Sequence, residues 1–229
     1  MKCVVLCAGK SSRMDASSPK VLLPVRGKPI LHHVIDMWKY SVDSFIFVVG
    51  YQKEKVIKQL PLDAIIVVQE EQRGIADAIL QVEEHIEDKF VVALGDCIQS
   101  GHFVVPIQSI EQGIGVWAVI GSAKAVKQGY SVEVTGNWVS RVVEKPKGTQ
   151  EAFCGMGTYF FDRRVFDYVR QTPVSSLKGE AEITDTVQLM IDGGEKITPV
   201  FFKGRYLNIT YPGDLKKAEE VLRWQSRRR

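Results

Sequence analysis

The sequence predicts an α/β fold: a Rossmann-like, doubly wound and mostly parallel sheet that carries a small extra lobe. Two observations predict it. Short β-branched runs alternate with helical patterns through residues 2–120, the order expected of a parallel sheet with helices on both faces. The first run, Cys3-Val4-Val5-Leu6-Cys7, ends in a loop of small residues and cations, Ala8-Gly9-Lys10-Ser11-Ser12-Arg13-Met14. In such sheets ligands bind beyond the carboxyl ends of the strands.

Taken in order, strands are expected at 2–8, 44–50, 64–68, 89–94 and 114–120, with helical segments near 29–42, 52–60, 74–87 and 102–112. The second half is less regular. Gly129 to Val134, Trp138 to Val143 and Cys154 to Phe161 read as strands around the loop Glu144-Lys145-Pro146-Lys147-Gly148, and Tyr168 to Thr186 mixes helix with turn. A last helix, about Pro212 to Trp224, carries Leu215, Ala218, Val221 and Leu222 at helical spacing, which suits a core-covering face. No repeat or linker divides the chain, so residues 1–229 are expected to form one domain. Residues 1–120 would be its mainly nucleotide-binding half, 121–205 would hold the second substrate, and 212–226 would be a C-terminal helix.

Composition narrows the class. Thirty Lys and Arg against 27 Asp and Glu leave a net charge of +3, too little to imply nucleic acid, and Arg227-Arg228-Arg229 reads as a solvated tail. No apolar stretch reaches the ~18 residues of a membrane span. The run after Lys2 is needed as a strand and is too short for a signal peptide, so a cytoplasmic protein is expected. Cys3, Cys7, Cys97 and Cys154 form no Cys-x-x-Cys pair, which argues against a zinc site or a disulfide framework. Cys3 and Cys7 share a strand face and read as buried thiols.

The opening loop suits a polyphosphate. Small residues let backbone N–H groups approach it, and Lys10, Arg13 and Lys20 supply fixed positive charge. It is not a P-loop, because the glycine required before Gly9-Lys10-Ser11 is Val4, inside the strand. Nor is it a dinucleotide fingerprint, since no glycine follows Gly9 until Gly27.

Leu6 to Met14, Pro19-Lys20 and Pro24 to Pro29 together resemble the entry motif of the sugar nucleotidyltransferase (nucleotide-sugar pyrophosphorylase) family, including glucose-1-phosphate thymidylyltransferases and the uridylyltransferase domain of N-acetylglucosamine-1-phosphate uridylyltransferases. The resemblance extends over nearly the whole chain. It implies the nucleotide-diphospho-sugar transferase fold, in which the extra lobe binds the sugar, and it implies roles for individual residues. Leu6, Ala8, Gly9, Ser12, Arg13 and Lys20 would line the nucleotide. Gln69 and Gly74, in Gln69-Glu70-Glu71-Gln72-Arg73-Gly74-Ile75-Ala76, would read the base, and the Gln amide can both donate and accept. Asp96, in Gly95-Asp96 after a buried strand, would also touch the nucleotide and ligate Mg²⁺, a hard ion that prefers one or two carboxylates plus substrate phosphates.

Glu144-Lys145-Pro146 resembles the family's Glu-Lys-Pro, with Glu144 on the sugar and Lys145 on its phosphate. Gly129, Gly157 and Glu180, the last within Gly179-Glu180-Ala181-Glu182-Ile183-Thr184-Asp185, would complete the sugar-phosphate site with Lys203 and Arg205. Four departures from the pattern stand out: Ser11-Ser12 for Gly-Thr, Cys97 and Gly155 where Asn is frequent, and Asn208 where many members place a second metal-ligating Asp.

The resemblance thus implies a Mg²⁺-dependent enzyme that joins an NTP, dTTP or UTP favoured, to a sugar 1-phosphate, with Arg13, Lys20, Asp96 and Lys145 as catalytic residues and Asp96 and Asn208 on the metal. Its partners would be these substrates, with no membrane or nucleic acid, and a homo-oligomer is compatible with the sequence. Two alternatives stay open. One is a cytidylyltransferase acting on an alditol, choline-like or isoprenoid-precursor phosphate, for which Ser11-Ser12 speaks. The other is a catalytically weak relative that binds nucleotide sugar and regulates a partner, for which Asn208 and Gly155 speak.

Overall fold

A computed structural model describes residues 1–14, 17–103, 114–121, 123–147, 152–174 and 179–226. The body of the expected 102–112 helix, Gly148 and the Arg227–Arg229 tail lie outside them. Strands are β1 (Lys2–Cys7), β2 (Pro24–Val25), β3 (Lys28–Pro29), β4 (Ser44–Val49), β5 (Ile65–Val68), β6 (Phe90–Leu94), β7 (Cys97–Phe103), β8 (Ile114–Gly121), β9 (Tyr130–Thr135), β10 (Trp138–Glu144), β11 (Ala152–Phe161) and β12 (Ile197–Asn208). Helices are α1 (Ile30–Trp38), α2 (Lys53–Ile57), α3 (Ile75–Leu80), α4 (Ala123–Gln128), α5 (Arg164–Gln171), α6 (Ile183–Asp192) and α7 (Asp214–Ser226).

The main sheet runs β5-β4-β1-β6-β11-β8-β12-β7, with β9 and β10 branching from β11. Its first four strands are parallel; β11 enters antiparallel between β6 and β8, and β7 closes the far edge antiparallel to β12. Strand periodicity explains why both faces are covered. Cys3, Val5, Cys7, Phe47, Val49, Val91 and Ala93 turn to one side and pack with Leu31, Val34 and Trp38 of α1. Val4, Ile46, Val48, Phe90 and Val92 turn to the other, against Ala76 and Ile79 of α3, Phe166 of α5 and Val187 of α6. Each Val, Leu, Ile or Phe among them, once fully buried, contributes about 1.5–3 kcal/mol. Cys3 and Cys7 are free, buried thiols on one face, and burial pushes both pKa values far up.

Four strands were not legible in the sequence: the two-residue β2 and β3, and the longer β7 and β12. β7 follows β6 almost at once, and its Gly101 and His102 break the alternation that marks a half-buried strand. β12 pairs parallel to β8 through Ile197–Phe201 and then antiparallel to β7 through Phe202–Asn208, so one long strand serves two neighbours. Residues 102 and 103, expected to begin a helix, end β7 instead, where Phe103 pairs with Phe202. Among the described residues no helix is long and apolar enough to cross a membrane.

Candidate active site

The parallel strands bring four chain segments to one edge in the order β5, β4, β1, β6. At the end of β1, Leu6 O accepts from Gly95 N–H at 2.9 Å, and Ala8 O accepts from Tyr51 N–H at 3.2 Å, so the loop after β1 is tied to its neighbours on both sides. A Cβ on Gly95 would lie 2.7 Å from Cys7 Sγ and 2.8 Å from Leu6 O, which is why glycine precedes Asp96.

The small-residue loop then projects outward. Gly9, Ser12 and Arg13 are exposed, and no atom lies within 4 Å of a Cβ built on Gly9. Ser11 adopts a positive φ of 56° and its hydroxyl accepts the Lys20 N–H at 2.9 Å, while its carbonyl accepts from Met14 N–H. Ser11 therefore closes the loop across nine residues, a role the sequence did not distinguish from that of Ser12. Lys20 opens a single 3-10 turn, Lys20–Leu22, and the β2–β3 hairpin behind it turns through Arg26 and Gly27, both at positive φ as a two-residue type I′ turn requires.

Lys20 Nζ reaches Asp96 Oδ2 at 2.6 Å. Both side chains are largely but not wholly covered, 16% and 23% exposed, so the pair is shielded from water yet open to a ligand. Asp96 is further anchored through its carbonyl, which accepts Ile209 N–H at 3.1 Å. The same strand pairing sets Asn208 opposite Cys97, the residue that follows Asp96.

A buried relay leaves this point for the lobe. Gly157 N–H donates to Tyr206 Oη at 2.8 Å, Tyr206 Oη lies 3.1 Å from Cys97 Sγ, and Cys97 Sγ donates toward Asp96 Oδ1 at 3.5 Å. Burial pushes the pKa of both the thiol and the phenol up, so each keeps its hydrogen; the thiol spends its own on Asp96, which leaves Tyr206 to donate to sulfur. Gly157 sits in a register shift of β11 between Gly155 and Tyr159. The backbone groups that this bulge frees are taken by two tyrosines: Tyr206 accepts from Gly157, and Tyr130 Oη donates to Met156 O at 2.9 Å. A Cβ on Gly157 would press Leu94 and Cys97 at 2.7 and 2.8 Å, and one on Gly155 would fall inside the Tyr130 ring.

The remaining expected residues fall into two groups and one outlying pair. Gln69, just past β5, is 3% exposed, and its amide nitrogen donates to Gly74 O at 3.2 Å and Asp77 Oδ2 at 2.7 Å. Gly74 takes φ 105°, and a Cβ there would lie 2.5 Å from Ala181 O; Ala181 N–H in turn donates to Arg73 O at 2.8 Å. Glu180 is thereby held beside the Arg73–Gly74 turn.

In the lobe, Lys145 Nζ lies 2.9 Å from Glu144 Oε1, Thr184 donates to Glu144 Oε2 at 3.4 Å, and Lys145 N–H donates to Gly129 O at 2.8 Å. Lys145 has a positive φ of 43°, a conformation that costs a non-glycine residue about 1–3 kcal/mol and that clusters at functional sites. Lys203 and Arg205 pair with His102 and Ser100. Strand alternation puts both on the face of β12 opposite Tyr206 and Asn208, where they are exposed.

Residues 2–224 match the family model described as nucleotidyl transferase. The chain belongs to the nucleotidyl transferase family. It is 32% identical over 235 residues to a Haloferax volcanii protein named UTP–glucose-1-phosphate uridylyltransferase AglF, covering 97% of this chain and 96% of that one. It is 29% identical over 234 residues to the bifunctional protein GlmU of Methanocaldococcus jannaschii, across 97% of this chain but 54% of that one, so the chain spans about half the length of that relative. Among solved structures, a putative glucose-1-phosphate thymidylyltransferase from Bacillus anthracis superposes with a TM-score of 0.82 over 97% of this chain and 95% of that one, at 23% identity, a likeness of fold.

For this nucleotidyl transferase, the metal question turns on its donor set. Among the described residues no three His, Cys, Asp or Glu side chains cluster into a protein-only cage. Asp96, with Asn208 opposite the next residue in the strand register, offers one carboxylate and one amide at an accessible edge. Magnesium sites completed by substrate phosphates have this economy, and the residues present fit such an ion.

Proposed function

We propose that this protein transfers a nucleotidyl group from an NTP, UTP or dTTP, to a sugar 1-phosphate, giving a nucleotide sugar and pyrophosphate with Mg²⁺. The observation that carries the reading is the Lys20–Asp96 pair, 2.6 Å apart at the shared edge of β1 and β6, between the Gln69–Gly74 turn and the Glu144–Lys145 loop. A cation for phosphate and a carboxylate for a metal stand together between a turn suited to a base and a loop suited to a sugar phosphate. The near full-length relative named for UTP and glucose 1-phosphate favours UTP.

A sugar-phosphate oxygen attacks the α-phosphorus in line; the new P–O bond forms as the bond to the bridging α–β oxygen breaks, and pyrophosphate leaves with that electron pair. A phosphate monoester, with a second pKa of about 6, is largely ionised near neutral pH, so no general base is needed. Catalysis rests on alignment and on neutralising charge. Arg13 and Lys20 face the triphosphate, Lys145 the attacking phosphate and Glu144 the sugar hydroxyls, with Glu180 near the base turn. Asp96 and Asn208 would hold Mg²⁺, which when bound neutralises phosphate charge. Lys203 and Arg205 lie exposed on the face of β12 opposite Asn208.

The test is pyrophosphate release with UTP, dTTP, CTP, ATP and GTP against hexose 1-phosphates and alditol phosphates, with Asp96→Ala as control. Turnover of UTP or dTTP with one hexose 1-phosphate, lost in the control, is the expected result. Turnover confined to CTP and an alditol phosphate, or nucleotide binding without release, would replace this reading.

A further inference from the structure

We propose that Asp77 is a positioning residue that makes Gln69 an obligate hydrogen-bond acceptor, so that the site takes a base with an N–H at its pyrimidine ring nitrogen, uracil or thymine, in preference to cytosine. The inference rests on the nucleotidyl-transfer reading for the identity of the ligand, and on the geometry of three residues for the rest.

The Gln69 amide nitrogen donates to Asp77 Oδ2 at 2.7 Å and to Gly74 O at 3.2 Å. A carboxylate oxygen and a peptide carbonyl accept only, so both hydrogens of the amide are committed. Rotating the amide by half a turn would set its oxygen against two other oxygens and strand its donors. Such unsatisfied buried groups cost about 1–3 kcal/mol each. Gln69 Oε1 therefore points away from α3, and among the described residues nothing donates to it.

The frame around this amide is fixed. Gln69 N–H donates to Val49 O at 2.9 Å, which pins the residue to the end of β4, and Gln72 Nε2 donates to the Gln69 carbonyl at 3.2 Å. Asp77 lies in the first turn of α3, whose start is clamped on Ala181 through Ala76 N–H and the close approach of Gly74. A side chain that could in principle donate or accept is thus reduced to one function. Uracil and thymine answer a lone acceptor with N3–H; cytosine presents a lone pair at the same ring position. A fixed polar group rejects the ligand that fails to pair with it more strongly than an adaptable one does.

The experiment measures equilibrium dissociation constants of UTP, dTTP and CTP with Mg²⁺ for the wild type, Asp77→Asn and the double variant Gln69→Glu/Asp77→Asn, alongside pyrophosphate release and melting temperature. The wild type should bind UTP about tenfold or more tightly than CTP, the scale of one lost hydrogen bond to a buried acceptor. In Asp77→Asn the partner can donate as well as accept, the Gln69 amide can turn, and the UTP-to-CTP ratio should fall to within about threefold by a gain in CTP affinity. In the double variant the new amide donates to the new carboxylate, the acceptor faces the base again, and the wild-type ratio should return.

A structural role for Asp77 would weaken all three nucleotides together and leave the ratio unchanged, which would overturn the proposal, as would a wild type that prefers CTP. If Asp77→Asn does not fold, the ratio in the double variant decides. Selective binding without pyrophosphate release would overturn the transferase reading and leave the role of Asp77 standing; no binding of any nucleotide would overturn both.

Discussion

Lys20 Nζ and Asp96 Oδ2 stand 2.6 Å apart, so the cation assigned to the triphosphate and the carboxylate assigned to the metal neutralise each other in the free protein. On the proposed function, an NTP binding with its metal would exchange this contact for two others, phosphate on Lys20 and metal on Asp96. Metal and nucleotide should then bind synergistically. In Lys20→Met, Mn²⁺ used as a probe should bind the nucleotide-free protein more tightly by calorimetry, while turnover falls about 10²-fold, the lower scale for one electrostatic donor. Unchanged Mn²⁺ affinity in the variant would show that the pair does not restrain the metal site. In Asp96→Asn the Mg²⁺ concentration for half activity should rise.

Arg13 is exposed on the loop after β1, so its effect should be catalytic rather than structural. Arg13→Ala should lower turnover by about 10²–10³ with an unaltered melting temperature. Retention of full turnover would remove Arg13 from the pyrophosphate-binding group.

Tyr206→Phe leaves the Gly157 N–H without its acceptor and should destabilise the protein by about 1–3 kcal/mol, read by urea denaturation. Because Gly157 lies in the β11 bulge and Cys97 touches Asp96, the KM for the sugar phosphate should rise as well. A stability loss with unchanged kinetics would limit the relay to a structural part.

Asp214 gives a pH signature. Burial would raise its pKa, but Lys217 at 2.7 Å and the Tyr211 and Thr210 N–H groups at 2.9 and 3.1 Å outweigh burial and hold it below the ordinary value. With the folded pKa below the unfolded value of about 3.9, the stabilisation is complete above that pH and is lost as pH falls through the folded pKa. Asp214→Asn should therefore be less stable than wild type at pH 7, and the two denaturation curves should converge at low pH. A constant difference down to the lowest pH would refute the assignment.

Gly155→Asn drives its Cβ into the Tyr130 ring. It should destabilise by about 1–3 kcal/mol or more, as overpacked cores do. Adding Tyr130→Ala should recover part of the loss in thermal melting; no recovery would place the clash elsewhere.

What the sequence determined by itself is the local chemistry and the periodic elements. The Cys3–Cys7 run, the Gly9–Arg13 loop, Gly95-Asp96 and Glu144-Lys145-Pro146 are contiguous motifs, and each carries its meaning within a few residues. The parallel core followed from alternation because strands buried on both faces must be apolar throughout. Only the tertiary structure decided the rest. β7 and β12 owe their strand form to each other, across about a hundred residues, so no local period announces them. Alternation along β12, a strand that only the fold reveals, separates Asn208 from Lys203 and Arg205, and long-range pairing joins Lys20 to Asp96 and Tyr206 to Gly157. Asp77 lies within a motif that was read, yet its function depends on which way one amide turns, and that orientation is set by partners that meet only after β5 and α3 have packed.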